Sequence, residues 1–195
     1  CRARLLVNAT GPWANILLDK IKPSPKKREF DLVAGTHIVF DAPPPRGIYY
    51  VEAPQDQRAV FVMPWKGKTM IGTTEKIFEG NPSDLLPTPE EESYLCEVAA
   101  HYFPKFTSFK RGNIDSSFAG LRVLPHASGK AFSRPRETTF HVDKKTAPRI
   151  ATIYGGKLTA FRVTAEKFVT KFAKKLPRRT RKAWTRDLKL TPVKS

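Results

Sequence analysis

Two sets of residues in this chain have types and spacings that could do chemistry. The first is the run Ile153-Tyr154-Gly155-Gly156-Lys157-Leu158-Thr159-Ala160-Phe161-Arg162. An apolar strand leads into two glycines and a lysine, and a helix-forming stretch follows. Paired glycines let a ligand approach the backbone closely. A helix N-terminus offers unpaired N–H groups and the positive end of the helix dipole. Gly155, Gly156, Lys157, Leu158 and Thr159 therefore form a candidate anion-binding turn; the alternative is an ordinary strand-to-helix turn with an exposed lysine. The second set is His37, Arg58, Arg122 and Arg136, each at or near the end of a strand-like run. Guanidinium groups bind phosphate bidentately, and an imidazole titrates in the range needed to accept a hydroxyl proton. With 35 lysines and arginines in the chain, any one arginine is equally readable as a surface residue. His101, His126 and His141 carry no motif and read as structural. No Cys/His spacing suits zinc, so no metal is expected. Neither Gly-x-Gly-x-x-Gly nor a phosphate loop occurs.

The elements that must position these residues can be read from periodicity and turn chemistry. Leu5 to Asn8 reads as a buried strand, followed by Asn8-Ala9-Thr10-Gly11-Pro12-Trp13, where the glycine permits a tight turn and Pro12 suits a first helical turn. Trp13, Ile16, Leu17 and Lys20 then fall at helical spacing. Residues 31–73 read as sheet. Lys66-Gly67-Lys68 is a hairpin turn between runs 59–64 and 69–73. Val60 and Val62 point one way and Phe61 and Met63 the other, so both faces are apolar, which predicts a sheet covered on both sides. Thr88-x-x-Glu91 with Pro89 is a capping box opening a helix. Its stripe is Leu95, Val98, Ala99 and Tyr102, and Pro104 ends it. Residues 114–123, 138–142 and 150–154 are strand-like. A last helix is expected over about 158–176, with Phe161, Ala165, Phe168, Val169, Phe172 and Leu176 on its apolar face.

The resulting fold class is α+β: a mixed or antiparallel sheet with helices, bracketed by two strand-turn-helix pieces that read as parts of a nucleotide-binding α/β domain. The expected boundaries are 1–30 and 141–176 for the bracketing pieces, 31–140 for the inserted layer, and 177–195 for a basic tail. The chain has 195 residues, 40% hydrophobic, with 17 prolines and two cysteines. That is enough for a core and too few cysteines for a disulfide framework. No apolar run reaches the roughly 18 residues of a membrane span, and no signal peptide is expected. The chain opens almost inside a strand, which reads as a piece of something longer. Net charge is +17, and from Lys157 onward 13 lysines and arginines face only Glu166 and Asp187. Such a tail suits an anionic surface, a missing acidic partner, or merely a solvated face.

Taken together, six stretches resemble the FAD-dependent glycerol-3-phosphate dehydrogenases of the D-amino-acid-oxidase-like flavoprotein superfamily. They are Leu6-Val7-Asn8-Ala9-Thr10-Gly11-Pro12-Trp13, Gly35-Thr36-His37-Ile38-Val39, Arg58-Ala59-Val60-Phe61-Val62-Met63-Pro64-Trp65, Ile71-Gly72-Thr73-Thr74, Phe118-Ala119-Gly120-Leu121-Arg122-Val123-Leu124, and Tyr154-Gly155-Gly156-Lys157-Leu158-Thr159. They follow the family's order over about 150 residues. The first alone would indicate only the superfamily; the others are more specific.

The resemblance implies that FAD accepts a hydride from sn-glycerol 3-phosphate, giving dihydroxyacetone phosphate, and that a quinone takes the electrons. It implies that His37 is the proton acceptor, that Arg122 binds substrate and that Arg58 assists. Arg136 and Lys157 would also serve substrate. Gly155, Gly156, Lys157, Leu158 and Thr159 would meet the flavin ring, with Gly11 and Pro12 in the FAD-domain turn. The family's N-terminal Gly-x-Gly-x-x-Gly half and an N-terminal substrate arginine are absent, so the chain alone is expected to hold FAD weakly and to turn over little. A cytoplasmic place is expected, either free or peripheral on the cytoplasmic membrane. Two other readings stay open: the substrate domain of an amine or amino-acid oxidase, and a basic module for anionic lipid or nucleic acid. Nucleic acid is disfavoured, because the tail holds one aromatic, Trp184, and no base-stacking series.

Overall fold

The computed structural model describes residues 2–126, 137–176, 185–189 and 191. The chain divides into two compact units, one formed by Phe30–Arg134 and the other by Cys1–Glu29 together with Pro135–Ser195.

The Phe30–Arg134 unit is a six-stranded antiparallel sheet with one long helix. Its spine is β2 (Phe30–Phe40). Along one edge, β2 pairs with β7 (Ile114–Pro125) over almost its whole length. Along the other edge it has two partners in turn, β5 (Lys68–Gly72) opposite His37–Phe40 and β6 (Lys76–Phe78) opposite Leu32–Ala34. Beyond β5 lie β4 (Ala59–Trp65) and β3 (Tyr49–Glu52). The β4–β5 hairpin closes through Lys66 at φ 50° and Gly67 at φ 79°. Two successive positive φ values make the turn whose twist matches the strands it joins.

Helix α2 (Pro89–Tyr102) starts at a complete capping box between Thr88 and Glu91. Leu95, Val98 and Ala99 of the predicted stripe are fully buried, while Tyr102 is exposed and donates its hydroxyl proton to the Glu52 carbonyl. With Cys96 they pack on Ile38, Phe40, Val60, Val62, Ile71 and Phe106, the main core. Burial lifts the Cys96 thiol to about 11, so it is an inert core residue. On the opposite sheet face, Tyr50, Phe61 and Phe118 remain exposed. The even apolar pattern of β4 therefore marks one core face and one face with bare aromatic rings.

The other unit holds a three-stranded sheet ordered β1 (Leu6–Asn8), β9 (Ile150–Tyr154), β8 (Thr139–Val142). The β1–β9 pair is parallel and the β9–β8 pair antiparallel. Helix α1 (Ala14–Asp19) buries Ala14 and Leu18, leaving Trp13 and Ile16 exposed. The expected helix over 158–176 is three pieces: a 3-10 turn Leu158–Ala160, helix α3 (Phe161–Lys171), and a 3-10 turn Ala173–Lys175. Of its predicted apolar face only Phe168 and Phe172 are buried, against Ala151, Phe140 and Leu5. Together the sheets and helices make a mixed α/β architecture with one antiparallel and one mixed sheet. Among the described residues, no helix is long and apolar enough to cross a membrane.

Candidate functional site

In the Phe30–Arg134 unit, register places four strands' residues in one row. Phe61 of β4 lies opposite Gly72 of β5, Gly72 opposite His37 of β2, and His37 opposite Phe118 of β7. Directly opposed residues share a face, and this face is the one away from α2. The His37 imidazole lies over the backbone of Gly72, where an added Cβ would sit 2.6 Å from its Cγ. Its other neighbour is Phe118, stacked at 5.0 Å with an interplanar angle of 8°. Nδ1 is buried and has no hydrogen-bond partner among the described residues. Burial, and then the positive charge of Arg122, hold the imidazole below its ordinary value of 6.5. It is therefore the neutral base at pH 7.

Two residues from His37 the backbone becomes bare on both strands, because Gly35 faces Gly120. Two residues further on, Arg122 faces Val33. The Arg122 side chain folds back over Gly35: a Cβ there would lie 2.7 and 2.8 Å from its two terminal nitrogens. One of those nitrogens donates to Thr73 Oγ1 at 3.3 Å. The space above Gly120 is open, with nothing within 4 Å of an added Cβ. The result is a glycine-floored notch with an imidazole on one side and a guanidinium on the other. Arg58 hydrogen-bonds the Glu75 carbonyl through Nη1 at 2.7 Å and pairs with Asp56 at 3.4 Å. The segment 72–75 thus touches all three: His37 at Gly72, Arg122 at Thr73, Arg58 at Glu75.

Arg136 lies outside the described residues. The residues that motif reading left without a role are Gly35, Gly72, Thr73 and Thr74. Their signal was present, since two glycines and two threonines sit beside the named histidine and arginine in the quoted motifs. His126 and His141 have structural partners, Asp31 at 2.8 Å and the Lys26 carbonyl at 3.1 Å. Among the described residues no group of three His, Cys, Asp or Glu is placed to hold a metal.

The glycine turn of the other unit has the geometry of a cradle. Gly155 and Gly156 have φ of 71° and 91°, values that disfavour any side chain. A Cβ on Gly156 would run into the Thr138 hydroxyl. Lys157, Leu158 and Thr159 are exposed, Leu158 to 90%. The first 3-10 bond runs from the Ala160 N–H to the Lys157 carbonyl at 2.9 Å. The N–H groups of Leu158 and Thr159 therefore precede it and have no partner within the 3-10 turn. At the start of the unit, Gly11 has φ 57° and Pro12 opens the 3-10 turn Gly11–Trp13. Buried Asn8 ties that turn together, donating to the Ala14 carbonyl at 2.9 Å and accepting from the Thr10 hydroxyl at 2.7 Å.

The chain is similar to known proteins in sequence and in structure. The chain is 31% identical over 168 residues to the D-erythritol 1-phosphate dehydrogenase of Brucella abortus, covering 85% of this chain and 33% of that protein. It is 35% identical over 170 residues to the aerobic glycerol-3-phosphate dehydrogenase of Bacillus subtilis, covering 86% and 30%. In structure it is similar to the glycerol-3-phosphate dehydrogenase of Bacillus halodurans complexed with FAD, with a TM-score of 0.70, 32% identity, and coverage of 86% of this chain and 31% of that one. The chain thus spans about a third of the length of these relatives. The FAD dependent oxidoreductase family, DAO, matches residues 1–162, and the chain belongs to that family.

Proposed function

We propose that this chain carries the polyol-phosphate site and part of the flavin site of an FAD-dependent dehydrogenase that oxidises sn-glycerol 3-phosphate to dihydroxyacetone phosphate. The observation that carries the reading is the glycine-floored notch, which sets a neutral imidazole beside a guanidinium. Arg122 would bind the phosphate, and His37 would take the proton of the hydroxyl being oxidised. Since Nδ1 is buried, Nε2 is the atom left to accept it. Arg58 holds the 73–75 segment through the Glu75 carbonyl and so acts on the site from its edge. Arg136 is the further phosphate ligand in this reading, and Lys157 adds positive charge near the turn.

When bound, FAD would supply the acceptor for the hydride of the carbinol carbon. The cradle fits such a group: two glycines at positive φ, the second without room for a side chain, followed by N–H groups ahead of the first 3-10 bond that would favour negative charge on a ring edge. Gly155, Gly156, Lys157, Leu158 and Thr159 would contact the ring, and Gly11 and Pro12 would belong to the FAD-domain turn. By this reading residues 1–30 and 141–176 are parts of the FAD-binding domain, and 31–140 form the substrate domain. A quinone acceptor and peripheral association with the cytoplasmic membrane complete the proposal. The 195-residue chain without a dinucleotide-binding half would hold FAD weakly, so dye reduction with FAD and glycerol 3-phosphate should be slight; fast turnover would overturn that part.

A second substrate is favoured by the open space above Gly120. A four-carbon polyol phosphate, the type of compound named for the Brucella relative, would extend there. The test of both is an NMR titration of the chain following the His37 ring signals. sn-Glycerol 3-phosphate should shift them where glycerol does not, and Arg122→Ala should abolish the response. Equal shifts from glycerol, or an unaffected Arg122→Ala chain, would remove the phosphate reading. A larger affinity for erythritol 1-phosphate than for glycerol 3-phosphate would select the longer substrate.

A further inference from the structure

The notch is held from behind. On its β5/β6 edge, β2 leaves Gly35 and Thr36 outside both ladders, because β5 pairs from His37 onward and β6 only as far as Ala34. Thr74 fills this gap. Its N–H donates to the Thr36 carbonyl at 3.2 Å, and its Oγ1 accepts from the Thr36 N–H at 2.9 Å. The same hydroxyl donates to Glu91 Oε1 at 2.5 Å. The direction of this relay is fixed: a carboxylate cannot donate, so the one hydroxyl proton of Thr74 goes to Glu91, and a lone pair is left for Thr36. Glu91 Oε2 meanwhile accepts from the Thr88 N–H at 3.2 Å, which closes the α2 capping box. The neighbouring Thr73 is oriented in the same way. Its hydroxyl donates to the Thr74 carbonyl at 3.0 Å, so its lone pairs are available to Arg122. One residue along the helix, Glu92 accepts from the Ser117 hydroxyl at 2.7 Å and from Arg111 Nε at 3.0 Å. Ser117 precedes Phe118, the ring stacked on His37.

We propose that Thr74 and Glu91 are positioning residues for the His37–Arg122 pair, tying the first turn of α2 to the backbone that sets both side chains. Thr36 lies between Gly35, which floors the Arg122 guanidinium, and His37. Thr74 holds the backbone N–H and carbonyl of Thr36, and its neighbour Thr73 holds Arg122. The helix cap therefore serves the opposite face of the sheet. Glu91 accepts both protons with one carboxylate; a glutamine that keeps its oxygen on the Thr88 N–H can meet Thr74 only as a donor, which reverses the relay and frees the Thr74 hydroxyl proton. This inference rests on the His37–Arg122 notch being the substrate site, but its test reads the imidazole directly.

The experiment uses the full 195-residue chain and follows the His37 ring signals by NMR through a pH titration, with inorganic phosphate binding as a second readout. Thr74→Val keeps the shape and removes the hydroxyl. The His37 midpoint should then rise toward 6.5 as the packing over the ring loosens, and phosphate binding should weaken by about tenfold as the backbone that sets Arg122 shifts. Thr74→Ser retains the relay and should restore both values. Glu91→Gln still suits a helix cap, and should shift the midpoint in the same direction by less. Wild-type midpoints in folded Thr74→Val and Glu91→Gln chains would overturn the proposal, as would a Thr74→Ser shift equal to that of Thr74→Val. If Thr74→Val does not fold, Glu91→Gln against wild type decides. Absence of phosphate binding by the wild-type chain would count against the substrate reading instead, and leaves the His37 midpoint as the test of positioning.

Discussion

Gly35 and Gly120 face each other across β2 and β7, yet they are bare for different reasons. At Gly35 the space is already taken by Arg122 and Thr73; at Gly120 it is empty. Gly35→Ala should push the guanidinium off its seat, costing about 1–3 kcal/mol as overpacking does and weakening phosphate binding. Gly120→Ala meets nothing and should be neutral or gain up to about 1 kcal/mol from lost unfolded-state freedom, while narrowing the site for the longer polyol. Urea midpoints of the two variants, measured side by side, check this; equal destabilisation would mean that Arg122 does not lie over Gly35. His37 gives a second residue-scale expectation. Its folded value lies below the 6.5 of the free side chain, so just below pH 6.5 the unfolded chain binds more protons. Stability is then full above 6.5, falls as pH drops through 6.5, and stops falling below the folded value. His37→Asn should remove that slope. The difference in unfolding free energy between wild type and variant should shrink from pH 7.5 to pH 5; a constant difference would show that the imidazole is not depressed.

Elements differ in how legible they were. The β4–β5 hairpin and the α2 cap could be read directly, because a Lys-Gly turn and a Thr-x-x-Glu box are settled within four residues. The length of β2 could not, since its eleven residues are held by β7 some eighty positions away and nothing local announces that ladder. The site followed the same rule. His37 and Arg122 were named because their motifs are short and contiguous. That Thr74 and Glu91 stand behind them depends on a gap between two ladders, which no local pattern contains. The apolar face expected over 158–176 is packed only in part: Phe161 is exposed while Phe168 and Phe172 are buried. Periodicity reports which face is apolar and not how far along it a neighbour reaches. The hairpin also gives a stability expectation. Gly67 holds φ 79°, so Gly67→Ala should cost about 1–2 kcal/mol for a side chain in the left-handed region. Lys66→Asn, at φ 50°, should be stabilising, because asparagine tolerates that conformation. Thermal midpoints moving in opposite directions would bear this out; a shared sign would mean that the turn is not of this type.

Across the whole molecule, charge is divided as sharply as the fold. Residues 30–134 carry eleven lysines and arginines against twelve acids, whereas the remainder carries 24 against six. The entire excess of +17 therefore belongs to the unit with the glycine cradle, and the Phe30–Arg134 unit is close to neutral. A phosphate site needs only local positive charge, and in the proposed reading Arg122 would supply that without a basic surface around it. The excess on the other unit calls for a different account, and an anionic membrane is the surface at which a quinone acceptor would be met. Each lysine or arginine held near such a surface contributes about 1 kcal/mol, and the attraction fades over a Debye length of about 8 Å at physiological salt. The chain should therefore sediment with vesicles containing phosphatidylglycerol at low salt, detach as salt rises toward about 0.5 M, where the screening length falls to a few ångströms, and ignore purely zwitterionic vesicles. Removing residues 177–195, which hold seven of those basic residues and one acid, should weaken the association without abolishing it, since 17 basic residues remain on that unit. Equal binding to zwitterionic vesicles would point to the exposed apolar side chains of Leu158 and Phe161 instead, and tight binding to an oligonucleotide under the same salt would favour the nucleic-acid reading that the lack of stacking aromatics disfavours.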